Sequence, residues 1–242
     1  MIDIHCHILP GIDDGAECAA VACRMAREAL DGGVDTIVAT PHCNLPRCYP
    51  NYRGRRYTEC LSMFRALLRQ EGIPLNILPG AEVFARRSNL RQLLEEDRLV
   101  TLNHSRYLLV EFPFEASEGD ICTMLRDIAH RGLVPVIAHP ERYVALQNHG
   151  ALAAQWYEQG YVLQVNKPSL EGRLGISAME TAYDLLSMGL AHVIASDAHD
   201  LRYRSTGLRS LLPRLERYCS EEYIHDLLEG NPRRIIMNQE LK

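Results

Sequence analysis

Short apolar segments recur along this chain, separated by stretches in which apolar side chains return at helical spacing. The apolar segments are rich in aliphatic and β-branched residues, a composition typical of strands that are buried on both faces. They cover residues 2–4, 36–39, 75–78, 107–110, 134–138, 161–165 and 192–195. The helical spacing covers residues 16–30, 57–70, 121–131, 151–159 and 176–187. Most of these stretches are followed within two residues by a glycine, which commonly ends a helix.

Alternation of strand and helix predicts an α/β fold with a parallel sheet and right-handed crossovers. Because the strands are apolar almost throughout, a closed barrel with a jacket of helices is favoured, and an open doubly wound sheet is the alternative. The chain has 242 residues, of which 47% are hydrophobic. This length suits one barrel, so we predict a single domain over residues 1–242.

Composition narrows the function classes. The net charge of -5 argues against a general nucleic-acid-binding protein. No apolar run approaches the length of a membrane span, and the first candidate ligand stands at residue 5, which leaves no room for a signal peptide. We therefore expect a cytoplasmic protein without membrane insertion. The eight cysteines are scattered and form no Cys-x-x-Cys pair, so we expect reduced, structural thiols.

Polar residues of metal-binding type follow each of the seven predicted strands. In a parallel barrel the carboxyl ends of all strands meet at one mouth, where barrel enzymes place their chemistry. The segments are His5 and His7, Thr40-Pro41-His42, Pro79-Gly80-Ala81-Glu82, Glu111-Phe112-Pro113, His139-Pro140-Glu141-Arg142, Asn166-Lys167-Pro168-Ser169 and Ser196-Asp197-Ala198-His199. Residues far apart in the chain are thus predicted to converge on one site.

The side chains in this set indicate which ions they would bind. Five histidines and at least four carboxylates are too many for one tetrahedral ion, so two or three ions are indicated. Nitrogen and oxygen ligands without thiolate favour Mn, Fe, Co or Zn. The candidates are His5, His7, His42, His139, His199, Glu82, Glu111, Asp197 and one of the pair Asp13 and Asp14.

Several segments carry a resemblance to a known family. The His-x-His opening is a broad signal, whereas the Asp-Asp-Gly turn, the His-Pro-Glu-Arg-Tyr segment and the Val-Asn plus Ser-Leu-x-Gly loop are much narrower ones. The matching residues are 3–15, 39–42, 80–82, 110–113, 138–143, 164–166 with 169–172, and 196–199. Together they resemble the polymerase and histidinol phosphatase (PHP) superfamily. Within it, the chain is most similar to the bacterial manganese-dependent protein-tyrosine phosphatases of capsule and exopolysaccharide clusters, the CpsB and YwqE type.

This resemblance implies a distorted seven-stranded (β/α)7 TIM-like barrel and Mn2+ as the cofactor. It implies three ions: one bound by His5, His7, Glu82 and Asp197, a second by Glu82, Glu111 and His139, and a third by Asp14, His42 and His199. It also implies that Arg142 and Arg204 hold the phosphate. Arg202 follows His199 as well, which leaves the second phosphate-binding arginine open between positions 202 and 204.

The implied reaction is hydrolysis of phosphotyrosine on a protein by a metal-bound hydroxide. The phosphorylated tail of a cognate bacterial tyrosine kinase that controls polysaccharide synthesis is the implied partner, and a homo-oligomer is compatible with the sequence. Cations would neutralise the phosphate oxygens, the paired donors of Arg142 and Arg204 would grip them, and the phenol of tyrosine, with a pKa of about 10, leaves readily. His199 or His42 is available to polarise the leaving oxygen.

Two other functions stay open from the sequence. One is a small-molecule phosphoesterase acting on histidinol phosphate or nucleotides, and the other is a non-catalytic, metal-bound regulatory module. A rival nucleophile is Cys18, because residues 18–24 satisfy the Cys-x5-Arg spacing of cysteine-based phosphatases. That stretch lacks the glycines and polar residues of a phosphate loop, and its alanines favour a core helix.

Three further features bear on substrate choice. Residues 47–56 combine four arginines with tyrosines directly after His42, which indicates either a solvated basic loop or a docking surface for an acidic, tyrosine-rich tail. Tyr143 and Tyr203 are expected beside the phosphate. Lys167 stands where relatives carry small or apolar residues, and we expect its charge near the site entrance.

Overall fold

The computed structural model describes residues 1–45 and 48–241. Each of the seven predicted apolar segments forms a strand, and every paired strand runs parallel to its neighbour. The strands in this part of the chain are β1 Ile2–Cys6, β2 Thr36–Ala39, β3 His42–Cys43, β4 Asn76–Pro79, β5 Glu82–Phe84, β6 Tyr107–Glu111, β7 Val134–Ala138, β8 Val162–Asn166 and β9 Val193–Ala195. The predicted α/β class and the parallel arrangement are confirmed.

Two of these strands, β3 and β5, are short continuations that the sequence pattern did not separate. Strand β2 is interrupted at Thr40 and Pro41, where proline has no N–H to donate, and β4 is interrupted at Gly80 and Ala81. As a result, the hydrogen bonds between described residues form two sheets, with the orders β1-β2-β4 and β3-β5-β6-β7-β8-β9, in place of the single closed ring that was predicted.

Strand β1 is nevertheless joined to the chain that follows β9. The peptide N–H of Asp197 donates to His5 O at 2.8 Å, and that of His7 donates to Ala198 O at 2.9 Å. Cys6 and Ala198 form an isolated parallel bridge. The first strand of one sheet and the last strand of the other therefore meet at their carboxyl ends, where the candidate ligands lie.

The five predicted helical stretches all contain helices. The helices are α1 Ala19–Asp31, α2 Arg55–Gln70, α3 Leu90–Glu95, α4 Glu118–Ala129, α5 Val144–Asn148, α6 Ala151–Glu158, α7 Lys167–Leu170, α8 Ile176–Ser187, α9 Leu212–Leu215, α10 Glu221–His225 and α11 Asn231–Ile236. Short 3-10 turns cover Leu102–His104, Pro140–Arg142 and Arg209–Leu211, and a π-helical turn covers Asp226–Gly230. None of the described helices has the length and apolar character needed to cross a bilayer.

Apolar side chains from alternate strand positions bury both faces of the strands. One cluster collects Ile2, Ile4, Val38, Leu109, Val136 and Val193, and includes Ile235 from α11. The larger cluster collects the alternate residues, such as Ile37, Leu108 and Ile137, with the helices outside them. Strands packed on both faces are held rigidly, so the residues at their carboxyl ends are fixed in space. All eight cysteines are free thiols.

Candidate metal centre

The nine predicted ligands lie together at the carboxyl ends of the strands. His5 belongs to β1, His42 to β3, Glu82 to β5 and Glu111 to β6, while the remaining ligands sit on the segments that follow β1, β7 and β9. Most are fully buried, and the most accessible is Asp14, whose side chain is 50% exposed. The structure thus brings together every candidate from the sequence except Asp13, which has a different role.

Their ligand atoms form three overlapping groups. In each group the atoms lie within 4.8 Å of one another: His5, His7 and Glu82; His42, Glu82 and Glu111; and His7, Asp14, His42 and His199. Asp197 adjoins the first group, with its Oδ1 3.3 Å from His5 Nε2. His139 adjoins the second, with its Nε2 3.0 Å from Glu82 Oε1. Compared with the sets implied by the resemblance, His7 also reaches the third group and His42 also reaches the second.

The inward-facing atoms fit a cation. His5 Nδ1 lies 2.7 Å from the amide oxygen of Gln164, and His7 Nδ1 lies 2.7 Å from Asp13 Oδ2. These oxygens are acceptors, so each ring carries a proton on Nδ1 and turns Nε2 inward. Burial opposes the charge, but nearby carboxylates raise the pKa of both imidazoles, so without an ion Nε2 also holds a proton, and a bound cation would take its place. The two Nε2 atoms face each other at 3.3 Å. Nitrogen lone pairs this close repel one another unless a cation lies between them or a proton is shared.

Unsatisfied acceptors in the same space lead to the same conclusion. Glu82 Oε2, Asp197 Oδ1 and His199 Nε2 are buried without a hydrogen-bond partner among the described residues. A buried acceptor without a partner costs free energy, and it is usually explained by water or an ion. The donor set of imidazole and carboxylate, without thiolate, suits Mn, Fe, Co or Zn.

Burial shifts the pKa values of three ligands, and neighbouring charges add to the shifts. Burial, together with repulsion from Glu82 and Asp197, raises the pKa of Glu111 to about 9. Burial lowers the pKa of His139 to about 4, and burial with the nearby His7 charge lowers that of His199 to about 2. These histidines are therefore neutral, which is the form that binds metal. A bound cation would reverse the repulsion that opposes ionisation of Glu111.

Two ligands have an unusual backbone conformation. His139 and Asp197 have φ angles of 36° and 49°, and each directly follows, or lies close behind, the end of a strand. Residues other than glycine rarely adopt this left-handed region, and where they do, the surrounding structure must hold them there. In both cases the turn redirects the side chain from the strand end into the cluster.

Three residues that hold the ligands in place were not assigned this role from the sequence. Asp13, predicted only as one of two alternative ligands, accepts from His7 Nδ1 and from the peptide N–H of His42. Gln164 supports His5, and Asn166 Nδ2 donates to Asp197 Oδ2 at 2.5 Å. Gln164 and Asn166 are alternate residues of β8, so the period of the strand could have placed both on the face of the site.

Gly15 explains the Asp-Asp-Gly turn. A Cβ atom at this position would lie 2.0 Å from His7 O, so only glycine allows the turn to pack against the strand end. The peptide N–H of Gly15 donates to Asp13 Oδ1 at 3.0 Å. The turn therefore fixes Asp13 against His7 and leaves Asp14 facing His42 and His199.

Two arginines border the cluster. Arg204 forms an ion pair with Asp197 Oδ2, and its Nε donates to Asp197 O at 3.0 Å. Arg202 is exposed, so Arg204 is the one of the two that reaches the ligands. The guanidinium carbon of Arg142 lies 4.1 Å from the centre of the Phe114 ring, and the positive charge of Arg142 acts on Glu111.

Two expectations about the surroundings are wrong. Tyr143 is fully buried, and its hydroxyl donates to Ala138 O and accepts from the N–H of Phe112, so it cannot contact a substrate. Lys167 is only 4% exposed and does not stand at the entrance; its ammonium is bound by Ser205 and Gly207. Tyr203 is 74% exposed.

The arginines of the basic segment at residues 47–56 differ in their contacts. Arg47 lies outside the described residues. Arg53 Nη1 pairs with Asp97 at 2.6 Å while its Nη2 donates to Leu99 O, and Arg55 pairs with Glu59 at 2.6 Å. Arg56 is exposed and lines a groove of about 490 Å³ together with Pro10, Cys60 and Met63.

The rival Cys18 is exposed immediately before α1 and belongs to none of the ligand groups. The helix predicted for this stretch is present and buries Ala22, Met25 and Ala26. Residues 18–24 therefore form a helix start, and the predicted core helix is confirmed.

Comparisons with known proteins agree on one set of relatives. Residues 1–237 match the family model described as capsular polysaccharide synthesis, CpsB/CapC. The chain is 36% identical to the tyrosine-protein phosphatase YwqE of Bacillus subtilis, covering 99% of this chain and 92% of that protein. It is 32% identical to the tyrosine-protein phosphatase CpsB of Streptococcus pneumoniae, covering 99% of each.

Two solved structures resemble this chain to different degrees. A structure from work on YwqE and CpsB, described there as metal-dependent tyrosine phosphatases, is 34% identical and superposes with a TM-score of 0.90, covering 100% of this chain and 96% of that one. The phosphotriesterase from Mycobacterium tuberculosis superposes with a TM-score of 0.60 at 14% identity, covering 100% of this chain and 95% of that one. The second likeness shows a shared fold alone.

Proposed function

The chain belongs to the CpsB/CapC family of capsular polysaccharide synthesis, and we propose that it is a metal-dependent protein-tyrosine phosphatase. The observation that carries this proposal is the buried cluster of imidazole and carboxylate ligands with Arg142 and Arg204 at its border. The three overlapping ligand groups support two or three ions, and we propose Mn2+ as the resident metal. His5, His7, Glu82 and Asp197 would hold one ion, Glu82, Glu111 and His139 a second, and Asp14, His42 and His199 a third.

The metal ions, when bound, supply Lewis acidity and a nucleophilic water at neutral pH. The protein holds the phosphoryl group and the metal ligands in position. Arg142 and Arg204 bind the oxygens of the transferring phosphoryl group, where the planar donors of arginine give paired contacts. Gln164, Asp13 and Asn166 hold His5, His7 and Asp197 in fixed orientations, so little reorganisation is needed as charge develops. His199 and His42 lie beside the exposed Asp14, and they would act on the leaving oxygen through the ion that they would hold with it.

The side of the site that carries Arg142 favours an aryl ester on a protein. Phe114, on whose ring the Arg142 guanidinium rests, is 37% exposed, so a phosphate-binding arginine and an aromatic face are presented together near the surface. An aryl ring attached to a protein can approach such a surface without entering a closed pocket. A small-molecule phosphoesterase for histidinol phosphate or nucleotides is the second candidate, and a non-catalytic metal-bound module is the third.

For the partner, we propose the phosphorylated, acidic and tyrosine-rich tail of a bacterial tyrosine kinase. Arg56 is the exposed arginine of the basic segment that has no ion pair among the described residues. We also propose that residues 1–242 form one domain in which the two sheets are parts of a distorted seven-stranded barrel, because β3 and β5 continue β2 and β4 and a bridge joins β1 to the end of β9. A cytoplasmic location and a homo-oligomer fit this proposal.

The test is turnover after verified metal removal. The protein treated with EDTA should lose hydrolysis of a chromogenic aryl phosphate, and Mn or Co should restore it. A phosphotyrosine peptide should then be hydrolysed with a higher kcat/KM than histidinol phosphate. Full activity of the metal-free protein would refute the metal centre, and a preference for histidinol phosphate would replace the protein substrate by a small molecule.

A further inference from the structure

The loop at residues 200–207 directly follows the ligands Asp197 and His199, and it contains Arg204, the proposed phosphate-binding residue. Asp200 Oδ1 accepts from the N–H groups of Arg202 at 2.6 Å and Tyr203 at 2.7 Å, which winds the first half of the loop tightly. The peptide N–H groups of His199 and Asp200 both approach Arg204 O, at 2.9 and 3.2 Å. The loop is therefore closed on itself just where Arg204 turns toward Asp197.

Two cations from the segment after β8 hold this loop from outside. The Lys167 ammonium donates to Ser205 O at 3.0 Å, Ser205 Oγ at 3.0 Å and Gly207 O at 2.7 Å. Arg173 Nη1 donates to Arg202 O at 2.7 Å and Tyr203 O at 2.8 Å. The residues on both sides of Arg204 are thus anchored by side chains of one neighbouring segment.

Burying the charged Lys167 side chain costs free energy unless its donors are satisfied. The ammonium group is largely withdrawn from water, and burial lowers the pKa of Lys167. Its three donors are matched by three oxygens, which offsets the loss of hydration. An apolar residue could fill the same space without that cost, but it could not hold the two carbonyl groups.

The neighbour of Lys167 holds the partner of Arg204. Asn166 Nδ2 donates to the same Asp197 oxygen that pairs with Arg204 Nη2. Asn166 is the last residue of β8 and Lys167 the first of α7. These two consecutive residues therefore fix both members of the Arg204–Asp197 pair, Asn166 through the carboxylate and Lys167 through the loop. Arg204 has to keep this orientation for its other N–H groups to reach a phosphate.

We propose that Lys167, assisted by Arg173, is a positioning residue that acts through Arg204 and sets the affinity of the site for phosphate. This inference rests on the proposed function for the role of Arg204 as a phosphate-binding residue. A displacement of about 1 Å in such a group can lower a catalytic rate by up to two orders of magnitude. We expect phosphate affinity to fall in the same direction. The hydrogen bonds of the Lys167 ammonium go to Ser205 and Gly207, and none of them goes to a metal ligand.

The test is a double-mutant cycle on the Mn-loaded full chain, with inorganic phosphate as the probe in calorimetry. Lys167→Met should weaken phosphate binding by about ten-fold or more, and Lys167→Arg should recover most of it. In the Arg204→Ala background, Lys167→Met should change the affinity by less than about two-fold, because the route through Arg204 is already lost. An equal loss in both backgrounds would overturn the proposal, since it would mean a general structural effect.

Arg173→Met provides a second variant if Lys167→Met does not fold. It removes only the anchor at Arg202 and Tyr203, and it should weaken phosphate binding in the wild-type background but not in Arg204→Ala. If Arg173→Met weakened binding in both backgrounds, the proposal would fail. The binding readout does not need turnover, so the cycle is decided independently of whether the protein hydrolyses phosphotyrosine.

Discussion

The two carboxylate oxygens of Asp197 are divided between Arg204 and the metal centre. Oδ2 pairs with Arg204 Nη2 and accepts from Asn166, whereas Oδ1 has no hydrogen bond and lies 3.3 and 3.5 Å from the Nε2 atoms of His5 and His7. Burial opposes ionisation of this carboxyl group, but the charges of His5 and Arg204 hold its pKa well below the usual value. Asp197 therefore remains a carboxylate with one oxygen free for an ion.

This division predicts the effect of Asp197→Asn. The amide has no charge to pair with Arg204 and its oxygen is a weaker ligand, so we expect metal content to fall and aryl phosphatase activity to drop by about two orders of magnitude or more. Metal analysis of the purified protein and turnover at saturating Mn measure the two effects. Asp184→Asn, at an exposed position on α8, is the matched control and should change neither. Normal metal content in Asp197→Asn would contradict the role assigned to Oδ1.

The choice of nucleophile predicts opposite effects of two other substitutions. Cys18→Ser should leave turnover near the wild-type value, because Cys18 is exposed before α1 and outside the ligand groups. His139→Ala should lose orders of magnitude, because it removes the imidazole that lies beside Glu82 and Glu111. Turnover of an aryl phosphate with Mn compares them. Loss of activity in Cys18→Ser alone would point to a cysteine-based site.

The site could be predicted from the sequence because each ligand follows an apolar strand. The carboxyl ends of parallel strands meet at one mouth, so residues that follow the strands in the sequence lie close together in space. His5, Glu82, Glu111 and Asp197 all lie there. The rule does not decide between adjacent carboxylates. Asp13 and Asp14 were separated only by the turn at Gly15, which directs Asp13 to His7.

Other features depended on contacts between segments distant in the chain. Tyr143 was expected beside the phosphate, but its hydroxyl bonds to two backbone groups of neighbouring segments, so the side chain can be buried. Lys167 was expected at the entrance for its charge, and the acceptors that bury it belong to residues 205–207. The short helices α5, α7 and α9 contain too few turns to show a helical period, so the pattern did not reveal them.

His192 predicts how stability depends on pH away from the metal centre. Its Nδ1 accepts the peptide N–H of Leu163 at 3.1 Å, and burial lowers its pKa from 6.5 to about 4. The unfolded chain therefore binds one more proton than the folded chain between these values, so stability falls as the pH drops through this window. The full effect is about 3 kcal/mol, taking 1.36 kcal/mol for each pKa unit.

Urea unfolding of the metal-free protein between pH 7 and pH 4 measures this contribution. His192→Asn keeps an oxygen acceptor for Leu163 and does not titrate, so the fall in stability over the window should be reduced by about 3 kcal/mol. His130→Asn, at an exposed histidine after α4, is the control and should follow the wild-type curve. Identical curves for His192→Asn and wild type would show that His192 does not titrate as the structure requires.

The basic segment predicts separate effects for Arg56 and Arg53. Arg56→Ala should raise KM for an acidic phosphotyrosine peptide and reduce the salt dependence of kcat/KM, while leaving small aryl phosphates unchanged. Arg53→Ala should instead lower the free energy of unfolding by about 1 kcal/mol or less, because this partly exposed side chain ties the segment to Asp97 and Leu99. If Arg56→Ala slowed both substrates equally, Arg56 would be structural and would have no part in docking.

Arg142 and Phe114 predict how the site separates phosphate binding from recognition of the aryl group. Arg142→Ala should lower kcat/KM on all phosphoesters alike, by about 2 to 4 kcal/mol in transition-state stabilisation, because the charged contact to phosphate is common to every substrate. Phe114→Leu keeps an apolar surface but removes the aromatic face under the guanidinium, so it should cost a few-fold on aryl phosphates and less on alkyl phosphates. Arg202→Ala is the matched control, since Arg202 is exposed, and it should retain wild-type kinetics. If Arg202→Ala lost as much activity as Arg142→Ala, the second phosphate contact would be assigned to Arg202 and not to Arg204. If Phe114→Leu lost equal activity on aryl and alkyl esters, the role of Phe114 would be limited to supporting Arg142.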